Sequence, residues 1–363
     1  SEAAGGFVAD FAHQLAEHAK VTVVAATAGP ASVRTEGSLS VHRFSVKRWP
    51  LSLLRPHHPA DWPSILATLR DGMRTVADVA SADRPDYILA LWALPSGYWA
   101  KAMLKRFGVP YGVWALGSDI WSLGRIPVLR SYLRKVLREA DRCFADGFEL
   151  AEQVTKLSGA ACDFLPSARL LPSSSGRELS EVPPWRLAFL GRWHPNKGVD
   201  IFLESLRRLT AEDWKRVAEV RVYGGGPLDE EVRRQVAELQ ALGYPVNVGG
   251  YLDAGGAADL INWTDYLALP SRIESIPVIF SDAAQLGRPL VATPVGDLPR
   301  LFDKQKFGIL AGGANVVAYT RALQDALRSN PAQFQPGLSV LAGEFDITQV
   351  AARFMEDLYA RHQ

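Results

Sequence analysis

The sequence is short of cysteine, of net charge and of long apolar runs, and each shortage removes a class of protein. Only Cys143 and Cys162 occur in 363 residues. They have no metal-ligand spacing and are too few for a disulfide framework, so free thiols in a reducing compartment are the simplest expectation. The formal net charge is +1, which gives no global field to gather nucleic acid or a strongly acidic partner. No uninterrupted apolar run reaches the roughly 18–20 residues that span a bilayer. The nearest, Tyr87–Met103, is broken by Pro95, Ser96, Gly97 and Lys101. The start, Ser1-Glu2-Ala3-Ala4-Gly5-Gly6, lacks the basic and apolar regions of a signal peptide. A cytoplasmic protein is expected.

What is present is a folded composition, 48% hydrophobic and 22% charged, with enough length for two domains of roughly 150–200 residues. Short β-rich runs alternate with amphipathic helical stretches. In the first half the strands fall at Val21–Ala26, Val41–Val46, Tyr87–Trp92, Tyr111–Leu116 and Cys143–Ala145. In the second they fall at Arg186–Leu190, Glu219–Tyr223, Val246–Val248, Tyr266–Ala268, Leu290–Thr293 and Gly308–Leu310. Such alternation makes parallel sheets with helices on both faces, and two sets of it predict an α/β protein of two doubly wound, Rossmann-like domains. The first is expected over 1–168 and the second over 185–345. Between them 169–184, with Pro-Ser-Ser-Ser-Gly and Pro-Pro, reads as a linker. A closing helix over 346–363 has the option of packing back on the first domain. The first helix begins just after Gly5-Gly6, whereas a Rossmann-like domain places a central strand before such a loop; residues ahead of Ser1 are therefore expected.

Two segments carry candidate chemistry. In Leu187–Val199 a buried strand ends at Gly191, and the following loop presents Arg192 and Lys197 before a helix. Two cations beside a helix N-terminus suit a diphosphate; two incidental charges on a solvated loop remain the alternative. In Leu267–Pro299 a strand ends at Pro270, Glu274 lies in the loop, and a helix is expected to start near Pro277. The amides of Ser275, Ile276 and Val278 then face an anion. Asp282, eight residues after Glu274, lies on roughly the same side. As isolated features, both carboxylates read equally well as surface charges.

Taken together, the two segments resemble the donor half of family 4 glycosyltransferases, which have the two-domain GT-B fold. Gly191-Arg192 and Lys197-Gly198 match the family's diphosphate clamp. Leu269-Pro270-Ser271, Glu274 and Gly287-Arg288-Pro289-Leu290-Val291-Ala292-Thr293 match its Glu, seven residues, Glu motif and the segment after it, with Asp282 in place of the second Glu. The resemblance implies that Arg192 and Lys197 hold the diphosphate of a nucleoside-diphosphate-sugar, that Glu274 contacts the donor sugar and that Asp282 holds the ribose hydroxyls. Val222-Tyr223-Gly224-Gly225-Gly226-Pro227 and Val248-Gly249-Gly250-Tyr251 match loops that line the nucleotide site.

The first half resembles the family more loosely. Gly5 and Gly6 look like the glycine loop that approaches the donor phosphates. Leu116-Gly117-Ser118-Asp119 looks like the family's His-Gly-Ser-Asp, with Leu116 where the His stands. Asp119 is a candidate contact to acceptor or donor, with helix capping as the alternative. Six of the ten tryptophans lie in this half. Trp92 and Trp121, near strand ends, are candidates to stack on an acceptor together with Gly117 and Ser118, against the commoner role of core packing. Ile126–Arg142 reads as a basic amphipathic helix suited to peripheral membrane contact or to packing on its own sheet. His57-His58 lacks further ligands and reads as a polar loop.

By resemblance the expected activity is retaining transfer without an essential metal or other cofactor, in keeping with the lack of an Asp-x-Asp metal motif. The donor is a nucleotide-sugar; the acceptor is a glycan, a lipid-linked sugar or a small molecule, and cell-envelope polysaccharide biosynthesis is the expected setting. Nucleic acid is not an expected partner. Leu116 and Asp282 keep open a catalytically impaired nucleotide-sugar-binding protein, and the fold keeps open a nucleotide-sugar epimerase.

Overall fold

The computed structural model describes residues 6–49, 51, 54–171 and 177–362. The chain forms two compact units, Ser1–Pro166 with Ala351–Gln363, and Ser167–Val350. The segment read as a linker thus belongs to the second unit. Its residues 177–184 are fastened there: Arg177 and the Ser180 amide both donate to the buried Asp265, and Arg288 donates to the Arg177 carbonyl. Burial, and then the neighbouring Arg177 charge, lowers the Arg288 pKa to about 10.

In the first unit β1 (Val21–Thr27), β2 (Ser32–Glu36) and β3 (Leu39–Ser45) make one sheet in the order β1-β3-β2. β4 (Ile88–Leu91), β5 (Tyr111–Ala115), β6 (Arg142–Ala145) and β7 (Cys162–Phe164) make a second, in the order β4-β5-β6-β7. Among the described residues the strands of this unit thus form two sheets. β2 is antiparallel to β3, and every one of its residues is exposed, so it carries no apolar period for sequence reading to find. β7 was also missed because three residues are too few to show a period. Cys143 and Cys162 are register partners on β6 and β7 and are free thiols. Burial, with Asp163 adding to it, pushes Cys143 up to about 12.

Helix and sheet meet at aromatic contacts. The helix Gly6–Ala16 buries Phe7 and Phe11, whose rings stand edge-on to Trp114 of β5 at 5.7 and 5.1 Å. Trp114 is fully buried, and its indole donates to the Leu165 carbonyl. The last helix, Ile347–His362, enters the first unit at Ala351. There Phe354 packs on Phe11 and Phe144 at 5.7 and 5.5 Å, and Arg142 bonds Asp357. The helix Pro127–Glu139 buries Leu133, Val136 and Leu137 at helical spacing, while Arg130, Arg134, Lys135 and Arg138 are exposed and Val128 is 79% exposed. No helix among the described residues is long and apolar enough to cross a membrane.

The second unit holds one parallel sheet of β8 (Trp185–Arg192), β9 (Val217–Gly225), β10 (Val246–Gly249), β11 (Tyr266–Leu269), β12 (Leu290–Ala292) and β13 (Gly308–Leu310), in the order β10-β9-β8-β11-β12-β13. Its strands match the runs read from the sequence. β11 is buried at all four positions and β12 at all three, as a sheet covered on both faces requires. The order turns around between β8 and β11, and in open α/β sheets the crevice at the carboxyl ends of such a pair takes the ligand. A helix the sequence reading missed, Gln335–Glu344, lies against Val278–Gln285. The contact is fixed by Phe280 on Phe345 at 5.2 Å and by Gln335 donating to the Gly287 carbonyl at 2.7 Å.

Removing the aromatic that brings the last helix into the first unit tests this packing. Phe354→Ala is expected to cost about 3–5 kcal/mol, the usual cost of a buried phenylalanine, seen as a lower urea midpoint.

Candidate functional site

At the carboxyl ends of β8 and β11 the second unit brings together residues far apart in sequence. Arg192 closes β8, is exposed and makes no ion pair among the described residues. The chain then turns through Pro195–Lys197, where His194 Nδ1 accepts from the Asn196 amide, and Gly198 leads into the helix Val199–Arg207. Gly198 has φ +67°, and a Cβ there would lie 1.9 Å from the Pro270 carbonyl oxygen. Only glycine lets this loop lie against the end of β11.

That close approach sets Lys197 beside the next loop. Lys197 Nζ donates to Glu274 Oε1 at 2.5 Å, and Ser271 Oγ donates to the same oxygen at 2.8 Å. The Glu274 side chain is 10% exposed and Lys197 36%, so the carboxylate is sheltered while the ammonium reaches solvent. Gly296, at φ +54°, lets its own loop pass over the Glu274 carbonyl, since a Cβ would lie 2.3 Å from that oxygen. A second bridge joins the same loops. Arg272 forks onto Asp200 at 2.8 and 2.6 Å and donates to the Pro195 carbonyl. Burial alone raises the Asp200 carboxyl, but Arg272 holds it below its ordinary 3.8. The sequence reading missed Arg272 and Asp200 because each looks like a surface charge, and only the adjacency of β8 and β11 pairs them.

The glycine loops border the same edge. Gly191 and Arg192 lie in register with Gly224 and Gly225 of β9, and the Gly224 amide donates to the Gly250 carbonyl. The Gly225 carbonyl accepts from both the Trp193 amide (2.8 Å) and the Tyr251 hydroxyl (2.7 Å). Tyr251 is 67% exposed yet held by that bond. Ile276 and Pro277 are buried, Ser275 and Val278 are half-buried, and Pro277 caps the helix Val278–Gln285.

Two of the candidate carboxylates are buried against partners of their own. Asp282 is fully buried, and Arg169 bonds both its oxygens through Nε and Nη2. Its carboxylate is thus held in an ion pair and away from solvent. Asp119 is 1% exposed, with Oδ2 accepting from the Ala93 amide at 2.7 Å and Oδ1 from the Leu116 amide at 3.3 Å. It ties the loop after β4 to the loop after β5. Burial raises its pKa, against the opposing bond from Ala93 and other amides.

The other first-unit candidates divide. Trp92, just after β4, is half-buried with φ +64°, an uncommon conformation for a bulky side chain. Its amide donates to the Trp114 carbonyl. Trp121 donates to Gln153, lies over Gly117 and packs, partly buried, on the unit's hydrophobic core. Ser118 is exposed. Gly6 is the first residue of the helix Gly6–Ala16, and Gly5 lies outside the described residues.

Two substitutions check this geometry. Gly198→Ala is expected to lose at least about 1–2 kcal/mol from the left-handed penalty alone, measured as a lower thermal midpoint. Asp119→Ala leaves the buried Ala93 amide and the half-buried Leu116 amide without their acceptor, for about 1–3 kcal/mol. Because the folded state holds the Asp119 proton more tightly than the unfolded chain, wild-type stability falls as pH rises from 3.8 through the folded pKa. Urea midpoints taken across pH are expected to lose that slope in the alanine variant.

Residues 184–329 match the family of group 1 glycosyl transferases. The chain is 32% identical over 297 residues to a D-inositol 3-phosphate glycosyltransferase of Saccharomonospora viridis, an alignment covering 73% of the chain and 67% of that protein. A D-inositol 3-phosphate glycosyltransferase of Corynebacterium diphtheriae is 27% identical over 178 residues, 48% of the chain and 42% of that protein. The chain thus spans less than half of one of these relatives and about two thirds of the other. Sucrose-phosphate synthase from Thermosynechococcus elongatus superposes with a TM-score of 0.75 at 17% identity, over 98% of this chain and 92% of that one, which establishes the likeness of fold. The chain belongs to the group 1, or family 4, glycosyltransferases and has their GT-B fold.

Proposed function

We propose that the second unit binds a nucleoside-diphosphate-sugar and that the protein transfers the sugar, with retention and without an essential metal, to a glycan, lipid-linked or small-molecule acceptor. The observation that carries this reading is the pairing of Lys197 with Glu274 where the strand order turns around. A cation and a carboxylate held at one point suit a ligand that is anionic on one side and hydroxylated on the other. Arg192 and Lys197 would take the diphosphate and Glu274 the sugar hydroxyls. Gly191, Gly224, Gly225, Gly250 and Tyr251 would border the nucleotide, and the amides of Ser275, Ile276 and Val278 beside Pro277 would add donors.

The chemistry follows from where charge develops. As the bond from the anomeric carbon to the diphosphate oxygen breaks, negative charge grows on the leaving diphosphate. Each cation about 4 Å from that charge contributes roughly 4 kcal/mol at an effective dielectric near 20, before desolvation. Lys197 is preorganised by Glu274 and so needs little rearrangement. On the acceptor side, Trp92, held at its strand end, and the exposed Ser118 are the groups that support a stacking and hydrogen-bonding role. The exposed basic face of Pro127–Glu139 supports contact with an anionic membrane surface. The relatives' names support glycosyl transfer, and a cell-envelope pathway is the setting proposed.

A binding protein without turnover is favoured by one feature, Leu116 where the family has a His, next to an Asp119 already committed to amides. Release of nucleoside diphosphate in the presence of acceptor separates the two readings. In that assay Arg192→Ala and Lys197→Ala are each expected to lose about 10²–10³ in rate, and Glu274→Gln is expected to abolish transfer while circular dichroism stays unchanged. Wild-type rates in all three would overturn the assignment. Thermal shifts against UDP-, GDP-, ADP- and dTDP-sugars would identify the donor, and a lack of any shift would count against a nucleotide-sugar ligand.

A further inference from the structure

Three helices of the first unit carry a charge that the chain as a whole does not. Trp62–Ala82, Ser96–Phe107 and Pro127–Glu139 hold nine cations and three carboxylates, an excess of six in a chain whose formal net charge is +1. Lys101 is buried and bonds Glu139 at 2.6 Å, while the other eight cations are exposed. Asp71 is taken by Arg70 at 2.8 Å, which leaves Asp78 as the third carboxylate. Large apolar side chains are exposed on the same helices: Trp62 by 54%, Leu66 by 63% and Val128 by 79%. The Trp62 indole donates to the Pro56 carbonyl at 2.8 Å, so its one polar group is satisfied within the chain.

The three helices form one layer. Trp99 of the middle helix donates to the Leu69 carbonyl at 3.0 Å, and a Cβ on Gly72 would lie 2.2 Å from its ring. On the other flank Tyr98 meets Tyr132 with ring centroids 6.0 Å apart, and Lys101 meets Glu139. Met103 packs on Ala77 and Ala80. The contacts thus advance along all three helices in one direction, and the helices run parallel. Leu66 and Trp62 precede Gly72 by about 9 and 15 Å of helix, and Val128 precedes Tyr132 by about 6 Å. The apolar side chains therefore lie at one end of the layer, on either side of the start of the middle helix, with Arg70, Arg74 and Lys105 farther along. Trp92 and Ser118 belong to that end too, since each follows a strand and precedes one of these helices.

From this arrangement we infer that the layer docks on an anionic lipid bilayer, with Trp62, Leu66 and Val128 entering the interface and the cations meeting the headgroups. A soluble polyanion would use the cations and leave Leu66 and Val128 without a role. An uncharged apolar partner would leave eight exposed cations unmatched. A surface that is anionic at the level of the headgroups and apolar beneath them matches both sets. Lysine and arginine stems let the charges stay among the headgroups while the apolar side chains go deeper. Each cation near such a surface strengthens binding about 5-fold. The inference rests on the membrane contact proposed above for Pro127–Glu139. It widens that contact to three helices and sets the loop carrying Trp92 at the bilayer.

The test is co-sedimentation of the full chain with vesicles of phosphatidylcholine alone and of equal parts phosphatidylcholine and phosphatidylglycerol. The wild-type chain is expected to bind the anionic vesicles, to ignore the neutral ones, and to be released as salt rises from about 0.05 to about 0.5 M. Trp62→Ser/Leu66→Ser should weaken binding about 10-fold or more, and Arg74→Glu/Lys105→Glu at least about 25-fold. Both should keep the wild-type thermal midpoint within a few degrees. Leu66→Ser alone carries the apolar arm if the double variant does not fold. Wild-type vesicle affinity in either double variant, or equal binding to neutral vesicles, overturns the inference. If only Arg130→Glu/Lys135→Glu loses the vesicles, the three-helix surface falls and the contact at Pro127–Glu139 stands. If the wild-type chain binds no anionic vesicle, both fall.

Discussion

Lys197 and Glu274 are 77 residues apart in sequence, and they meet because β8 and β11 are neighbours in the sheet. Much of the second unit's irregular structure serves that one contact. Gly198 allows the loop after β8 to lie against Pro270, and Gly296 allows a third loop to lie against the Glu274 carbonyl. Arg272 and Asp200 fasten the same two loops a second time. The Thr293 hydroxyl donates to the Ser271 carbonyl, holding the residue whose own hydroxyl steadies Glu274. A charged pair at a sheet edge is worth little when its side chains are free to wander. Held from several sides, it becomes a fixed electrostatic feature to which a ligand can conform without reorganising the protein.

Three carboxylates show how burial, more than residue type, decides a role. Glu274 is sheltered but reachable and shares its charge with a lysine that faces solvent. Asp282 is sealed and spends its charge on Arg169. Asp119 is sealed among main-chain amides, and burial raises its pKa. In the sequence all three stand just after strands or inside the helices that follow them. In the fold one pairs with Lys197, one with Arg169 and one holds two loops together.

The second unit was largely readable in advance. Its buried parallel strands are apolar runs of useful length, and the Gly-Arg and Lys-Gly pairs sit at the strand-to-helix turn where an anion site forms. The first unit was less so. β2 is polar and exposed along its whole length, and β7 is only three residues long. The segment rich in proline and serine reads as a linker, and from Arg177 onward it is tied to Asp265 and Arg288. Those ties lie 88 and 111 residues away in sequence, beyond the reach of any local pattern.

What the sequence by itself determined is therefore the α/β class, most of the strands and the residue types able to meet a diphosphate and a sugar. These follow from periodicity and from charge at strand ends, both local properties of the chain. The tertiary structure alone decided which charges find partners: Lys197 with Glu274, Arg272 with Asp200, Arg169 with Asp282. Each pairing depends on strand order and on close approaches of backbone that only glycine permits. An ion pair's worth is set by distance and burial, and neither exists until the chain has folded.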